Sequence, residues 1–392
     1  RQRQMCIRDR FYAMEIKRVL INKKIIISFF VLLAVCIGFY INDQYRNAEY
    51  NGVQLSAVCS EEKNLMSEIR DLPADQIEDK ISRQYEYVSV IEQLLSFNES
   101  KKDDYDMYVE VWQDQEKEIR NQYPEIASEF DKHKESYNAQ ELTNKDYALN
   151  NIVKRAEYVN GYSDYIKSVE SKAQQMNSIS IFSQDNSLSS QNIQLTAETY
   201  KPLENLSLKV GSDFSVTSVL NYDLIHYIIL ALNIIVVLAF VEERKRGFWS
   251  MVYATPNGRF NLAVKRCGIL AISTTILCFV MYFALFVTSF SIYGGVSDLF
   301  RNVQSIEMFQ NFVFPMSEIQ FLFVYVLINV LAQLVPVYMM LFIVVIMQNT
   351  NLAFGVCGII FAAEFLLYTF LPSQSNLACL LYTSDAADEE DS

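Results

Sequence analysis

Five long apolar blocks constrain what this chain can fold into. Four of them contain no charged residue, and the fifth contains only Glu364. Each approaches or exceeds the roughly 20 residues that a helix rising about 1.5 Å per residue needs to cross a hydrocarbon core of about 30 Å. The pattern therefore predicts an all-α polytopic membrane protein with five spans. The blocks are residues 25–41, 224–241, 267–290, 321–347 and 352–371, and we begin the second span at residue 222.

The first block resembles the hydrophobic region of a signal peptide, because basic residues precede it. Its apolar run is longer than the roughly 7–15 residues of such a region, and residues 38–42 offer no cleavage site between small side chains. We therefore predict an uncleaved anchor. Residues 11–24, just before it, mix apolar and basic positions, which fits either an amphipathic helix lying in the membrane interface or a charged lead-in to the span.

The net charge of −13 is concentrated in one segment. Residues 42–219 contain 32 Asp and Glu against 18 Lys and Arg, so their net charge is 18 − 32 = −14. A domain this acidic argues against nucleic acid as a partner, because phosphate binding needs clustered basic residues. Apolar residues spaced three and four apart predict a mainly helical domain over residues 42–221. Within it, residues 178–208 are rich in Ser and Asn and predict a loop or short strands.

The loops predict an orientation, since Lys and Arg in short loops remain cytoplasmic. Four basic residues lie between positions 17 and 24 and place the N-terminus in the cytoplasm. The basic loop of residues 242–266 belongs on the same side, so residues 42–221 are predicted to be extracytoplasmic. The outer loop of residues 291–320 has one Arg and no Lys, which agrees. We expect a multi-pass protein of the cell membrane, in contact with lipid on its spans.

Motifs for catalysis and for cofactor binding are missing from the sequence. No Gly-rich loop ends in Lys-Ser or Lys-Thr, so ATP hydrolysis would have to come from a separate chain. The cysteines show no metal-binding spacing, and only Cys59 lies in the acidic segment, which excludes a disulfide within it. We predict no enzyme activity, no cofactor and no metal site, and we interpret His226 as structural.

Three polar residues inside the apolar blocks are candidates for function. Unpaired polar groups are costly in hydrocarbon, so Asn233, Gln333 and Glu364 are expected to face other helices or a cavity. Glu364 fits a functional role, helix packing or snorkelling equally well. Pro336 is expected to kink the fourth span, for gating or for packing.

The loop between the second and third spans carries the most distinctive motif. An acidic and basic start is followed by a stretch able to form a short amphipathic helix, which a Pro-Asn-Gly turn ends. Its aromatic residues fit either an anchor in the lipid headgroups or insertion into a cleft on another protein. The residues that define the motif are Glu242, Glu243, Gly247, Phe248, Trp249, Pro256, Gly258, Arg259 and Lys265.

This motif resembles the first intracellular loop of ABC-2-type transporter permeases, especially those of Firmicutes. Residues 180–200 and Asp223 also look like that group. The resemblance implies a bacterial export permease whose residues 242–266 form a coupling loop on a separate ABC ATPase subunit. It also implies pairing with a second permease copy or a paralogue. The five-span order covers residues 11–372, whereas the specific motifs cover only about 80 residues.

Two other functions are compatible with this layout. A secretion-associated or phage-receptor-like membrane protein would use the helical segment as a structural arm, although the sustained heptads that favour such an arm are missing. A membrane sensor would need a cytoplasmic output domain, which the sequence lacks.

Residues 1–10 and 379–392 resemble translated adapter sequence. We therefore expect a non-native leader and tail, and a sixth span in the native chain.

Overall fold

A computed structural model describes residues 22–70, 72–100, 109–178, 188–241, 260–347 and 350–370. The chain is helical across these ranges, as predicted, and their extended pairing is limited to one isolated bridge between Asn302 and Ser317. Its helices are α1 (Lys23–Tyr50), α2 (Leu55–Ile69), α3 (Ala74–Ser100), α4 (Val109–Gln122), α5 (Pro124–His133), α6 (Ala139–Ser178), α7 (Leu188–Tyr200), α8 (Phe214–Leu220), α9 (Leu224–Val241), α10 (Phe260–Tyr293), α11 (Glu318–Ile346) and α12 (Thr350–Phe370).

Three of the described helices are long and apolar enough to cross a membrane. They are α1, the part of α10 from Val264 onwards, and α11. A fourth span is formed if α8 and α9 are counted together, and these two helices meet at a bend of 53°. In hydrocarbon a helix satisfies its own backbone hydrogen bonds, which is why apolar runs of this length fold this way. Three to four such helices indicate a multi-pass membrane protein.

The fifth predicted span coincides with α12. Within the described side chains of this helix, the apolar stretch Leu352–Ala363 is shorter than the length needed to cross a membrane. The count of five spans therefore stays a prediction.

The chain divides into two compact units. One contains the described residues within 1–34, 224–281 and 327–392, and therefore holds α9, α12 and most of α10 and α11. The other contains residues 35–223 and 282–326, and therefore holds α2 to α8 together with the segment between α10 and α11. Helices α1, α10 and α11 each contribute residues to both units.

The second unit is built around a helical domain, which we define as α2 to α7 and the 3₁₀ turn Lys201–Asn205. Its main packing partners are α3 and the 40-residue α6. Ala148 and Ala156 of α6 are fully buried in the core of this domain, and their small side chains suit close helix packing. The best-buried residues of this core are Ile69, Ile81, Ile91, Leu94, Leu149 and Ile152.

The helical domain departs from one expectation. Within residues 178–208, residues 188–205 form α7 and the 3₁₀ turn Lys201–Asn205, so the predicted loop or strands are wrong there. Leu, Gln, Ala and Glu favour a helix within α7, and Thr196 turns its hydroxyl onto the carbonyl of Asn192 at 2.8 Å. Leu203 of the turn packs into a small core with Tyr162 and Ile166 of α6.

Candidate functional site

Most of the predicted coupling loop lies outside the described residues. This applies to Glu242, Glu243, Gly247, Phe248, Trp249, Pro256, Gly258 and Arg259. The last residue of the motif, Lys265, lies on α10, close to where the apolar part of that helix begins at Val264. The described helices α9 and α10 therefore flank the loop on either side.

Two of the three polar candidates within the apolar helices lie side by side. Asn233 on α9 is fully buried, and its Nδ2 is 3.4 Å from Oε1 of Gln333 on α11. Gln333 in turn directs its Nε2 to the backbone carbonyl of His226, also at 3.4 Å. Both distances are long for hydrogen bonds, so the contact is a weak polar link between α9 and α11. Asn233 therefore faces α11 and Gln333 faces α9, and a functional role for either residue stays a prediction.

The third candidate, Glu364, belongs to α12, and its side chain lies outside the described part of the chain. Pro336 lies inside α11, which continues through it as one helix. Near Pro336, Tyr338 donates its hydroxyl to the carbonyl of Cys267 at 3.0 Å and so joins α11 to α10.

The feature that sequence reasoning missed is a cluster of five charged residues in the second unit, four of them buried and Asp213 partly buried. We call it the buried charge cluster. It draws residues from α2, α6, α11, the residue preceding α8 and the segment between α10 and α11. Its members are Glu62, Arg155, Asp213, Arg301 and Glu318.

Arg301 binds the two acidic residues of the cluster that lie at the starts of α8 and α11. Its guanidinium pairs with Glu318, the first residue of α11, and with Asp213, which immediately precedes α8. It also donates to the backbone carbonyls of Lys209 at 3.2 Å and Ser212 at 3.4 Å. One side chain thereby ties the start of α11 to the start of the bent α8–α9 pair.

Arg155 holds the half of the cluster inside the helical domain. This residue of α6 pairs with Glu62 on α2, and its Nε lies 3.4 Å from Asp213. It donates to the carbonyl of Gly211 at 3.1 Å, and its guanidinium carbon lies 4.9 Å above the ring of Phe214. Since Asp213 binds both arginines, the two halves of the cluster are continuous.

Electrostatics keep the arginines of the cluster charged. Burial acts to lower the pKa of Arg155, but the carboxylates of Glu62 and Asp213 outweigh it and raise that pKa above its ordinary value. The pKa of Arg301 is likewise raised, with burial opposed by Asp213 and Glu318. The three carboxylates and two guanidiniums carry a formal net charge of −1. Removing one partner would strand a buried charge.

Gly211 allows the chain to pass close to this cluster. A Cβ atom there would lie 2.6 Å from Nη1 of Arg301 and 3.0 Å from Cγ of Asp298. Asp298 itself accepts a hydrogen bond from the backbone N–H of Ser212 at 2.8 Å. Any residue larger than glycine would therefore displace the guanidinium.

A second set of polar contacts lies next to the bend between α8 and α9. Tyr40 of α1 is fully buried and shares a hydrogen bond of 2.8 Å with Ser218 of α8, which lies 3.1 Å from Ser289 of α10. Tyr222 at the bend donates to the carbonyl of Cys36 on α1 at 3.1 Å. These contacts join α1, α8 and α10 beside the bend.

The arrangement is suited to holding helices together. In the described residues no group of three or more His, Cys, Asp and Glu side chains could hold a metal ion. The acids of the charge cluster are occupied by arginines, so they do not form a free acid and base pair. A weak signal for the cluster existed in the sequence, since Arg301 is the only basic residue between positions 291 and 320.

Comparison with known proteins adds no family to this description. No protein-family model, no curated protein and no solved structure matches the chain.

Proposed function

We propose that this chain is the membrane-spanning permease subunit of an ABC-2-type exporter, driven by a separate ATPase subunit. The observation that carries the proposal is the sequence of residues 242–266, with its charged start, aromatic middle and Thr-Pro-Asn-Gly-Arg turn. It lies between the apolar helices α9 and α10, where a cytoplasmic loop would meet an ATPase.

The fold of the described residues supports the proposal in two ways. Three to four apolar helices suit a channel-forming or transporting protein, and a helical domain follows the first of them. The buried charge cluster also links that domain to the starts of α8 and α11. In our scheme, ATP-driven movement of the spans is passed through Asp213 and Glu318 to the helical domain on the outer side.

Co-purification with a co-expressed candidate ABC-type ATPase tests the proposal. The test variant combines Phe248→Ala, Trp249→Ala and Arg259→Ala. The matched control combines Trp112→Ala and Arg83→Ala, which remove an aromatic residue and an arginine from the helical domain. We expect the ATPase to bind the wild type and the control but not the test variant, with all three equally monodisperse.

Two outcomes would contradict the proposal. If no ATPase binds the wild type, the chain is not a subunit of such an exporter, and the structural-arm alternative gains weight. If the ATPase binds the test variant as well as it binds the wild type, the loop is not the coupling element.

A further inference from the structure

The segment between α10 and α11, residues 294–317, carries an unusual set of exposed side chains. Four large apolar residues there are at least half exposed: Val296 at 59 %, Phe300 at 77 %, Met308 at 50 % and Phe314 at 66 %. By contrast, only two large apolar residues are exposed among the described side chains of residues 55–178, each by about 40 %. Single exposed apolar residues are ordinary, but four in one short segment call for a partner.

Polar groups of the same segment turn inward. Arg301 is 6 % exposed within the buried charge cluster, and Gln304 is fully buried. Gln304 donates from its Nε2 to the carbonyls of Phe312 at 3.0 Å and Phe314 at 2.8 Å. The charged residue that remains exposed beside the apolar ones is Glu307. A surface that exposes its apolar side chains and buries its arginine suits a nonpolar environment better than water.

Many backbone groups of the segment form hydrogen bonds within the segment itself. Three short 3₁₀ turns, Val296–Phe300, Val303–Ser305 and Glu307–Phe309, close hydrogen bonds of 2.9–3.0 Å. Irregular backbone at membrane depth needs partners of this kind, because lipid supplies none. The segment therefore meets the requirement for contact with a bilayer.

Its exposed face continues onto helices that the membrane would cover. Phe314 packs 5.9 Å from Phe312, which packs 5.5 Å from Phe321 on α11, and Phe321 lies 6.4 Å from Tyr325. On the flanking helix ends, further apolar side chains point outward, namely Phe283 and Val287 of α10 and Ile319 and Phe323 of α11. Aromatic residues at the ends of spans are typical of the membrane–water interface.

From these observations we infer that residues 294–317 rest in the bilayer interface and insert Phe300 and Phe314 among the lipids. Glu307 then stays at the headgroup level, and Arg301, kept out of the lipid, anchors the segment to the protein. A lipid surface fits better than a second copy of the chain because the segment lies directly between two apolar helices whose adjacent parts also expose apolar side chains. The inference depends on the membrane location of α10 and α11 but not on an ATPase.

Tryptophan fluorescence of the full-length protein in lipid nanodiscs tests this inference. Trp112→Phe and Trp249→Phe remove both native tryptophans, and Phe300→Trp or Phe314→Trp then introduces a single reporter. We expect phospholipids brominated on their acyl chains to quench both reporters strongly and acrylamide to quench them weakly, with blue-shifted emission. The matched control keeps Trp112 as the only tryptophan and should show the opposite pattern.

Two results would overturn the inference. Reporters quenched like Trp112, by acrylamide and not by brominated lipid, would place the segment in water. Reporters quenched by neither, together with cross-linking between copies through Phe314→Cys, would place it in a protein interface.

Discussion

Arg301 forms a buried ion pair with Glu318, the residue that begins α11. The same guanidinium binds Asp213 just before α8, so its loss would leave Glu318 buried without a counter-charge and Asp213 with Arg155 as its remaining partner. Breaking a buried pair in this way costs about 3–5 kcal/mol, whereas exposed pairs contribute about 0–1 kcal/mol. Removing Arg301 should therefore destabilise the protein far more than removing one partner of an exposed ion pair, and comparing the two tests whether the buried charge cluster stabilises the fold.

We predict that Arg301→Met lowers the apparent Tm of the purified protein by on the order of 10 °C. Arg301→Lys should recover only part of the loss, because lysine cannot reach both carboxylates with a planar fork. Lys117→Ala, which removes an exposed ion pair with Asp114, is the control and should change the Tm little. Equal, small shifts for Arg301→Met and Lys117→Ala would show that the cluster does not stabilise the fold.

Gly211 provides a second probe of the same cluster. Gly211→Ala places a methyl group against Arg301 and should destabilise the protein by about 1–3 kcal/mol. Gly161 makes a matched control because it lies within α6 with nothing within 4 Å of its added Cβ. Gly161→Ala should raise the stability by up to about 1 kcal/mol, as is usual inside a helix. Thermal unfolding compares the two, and a stabilising effect of Gly211→Ala would contradict the described geometry.

The apolar helices were predictable from sequence, whereas the pairing within the charge cluster was not. Runs as long as those of α1 and α11 have few alternatives to a membrane helix, so their composition decides their structure. A charge on an amphipathic helix is normally solvated, and nothing in the local pattern of Glu62 or Arg155 signals burial. These two residues are 93 positions apart, so their pairing depends on how α2 and α6 pack. Asn233 and Gln333 were recognised one by one for their polarity, but their contact depends on packing in the same way.

Asp146 is predicted to make stability depend on pH. Burial, and to a lesser extent the charge of Glu92, raises its pKa from 3.8 to about 6. Its buried Oδ1 has no hydrogen-bond partner among the described residues. Because the folded protein holds this proton more tightly than the unfolded chain, the stability that this group contributes is full below about pH 4 and is lost as the pH rises through about 6.

Asp146→Asn should therefore raise the Tm at pH 8 and change it little at pH 4. Glu135→Gln, at an exposed position, serves as the control at both pH values. An equal effect of Asp146→Asn at the two pH values would show that ionisation of Asp146 carries no cost in the folded protein.

The link between Asn233 and Gln333 is predicted to be weak. A double-mutant cycle with Asn233→Leu and Gln333→Leu should give a coupling free energy of about 0.6 kcal/mol, typical of polar contacts between membrane helices. Thermal unfolding of the two single variants and the double variant supplies the cycle. A coupling above about 2 kcal/mol would mean a tighter contact than the two 3.4 Å distances imply.

The proposed function requires the helical domain and the 242–266 loop to lie on opposite sides of the membrane. Labelling of single cysteines with a membrane-impermeant maleimide, in a variant without native cysteines, measures this directly. Tyr50→Cys reports on the end of α1, where Tyr50 is 91 % exposed, and Ser250→Cys reports on the loop. We predict labelling of Tyr50→Cys in intact cells and of Ser250→Cys only after the membrane is permeabilised. Equal labelling of both cysteines in intact cells, or the reverse order, would contradict this topology.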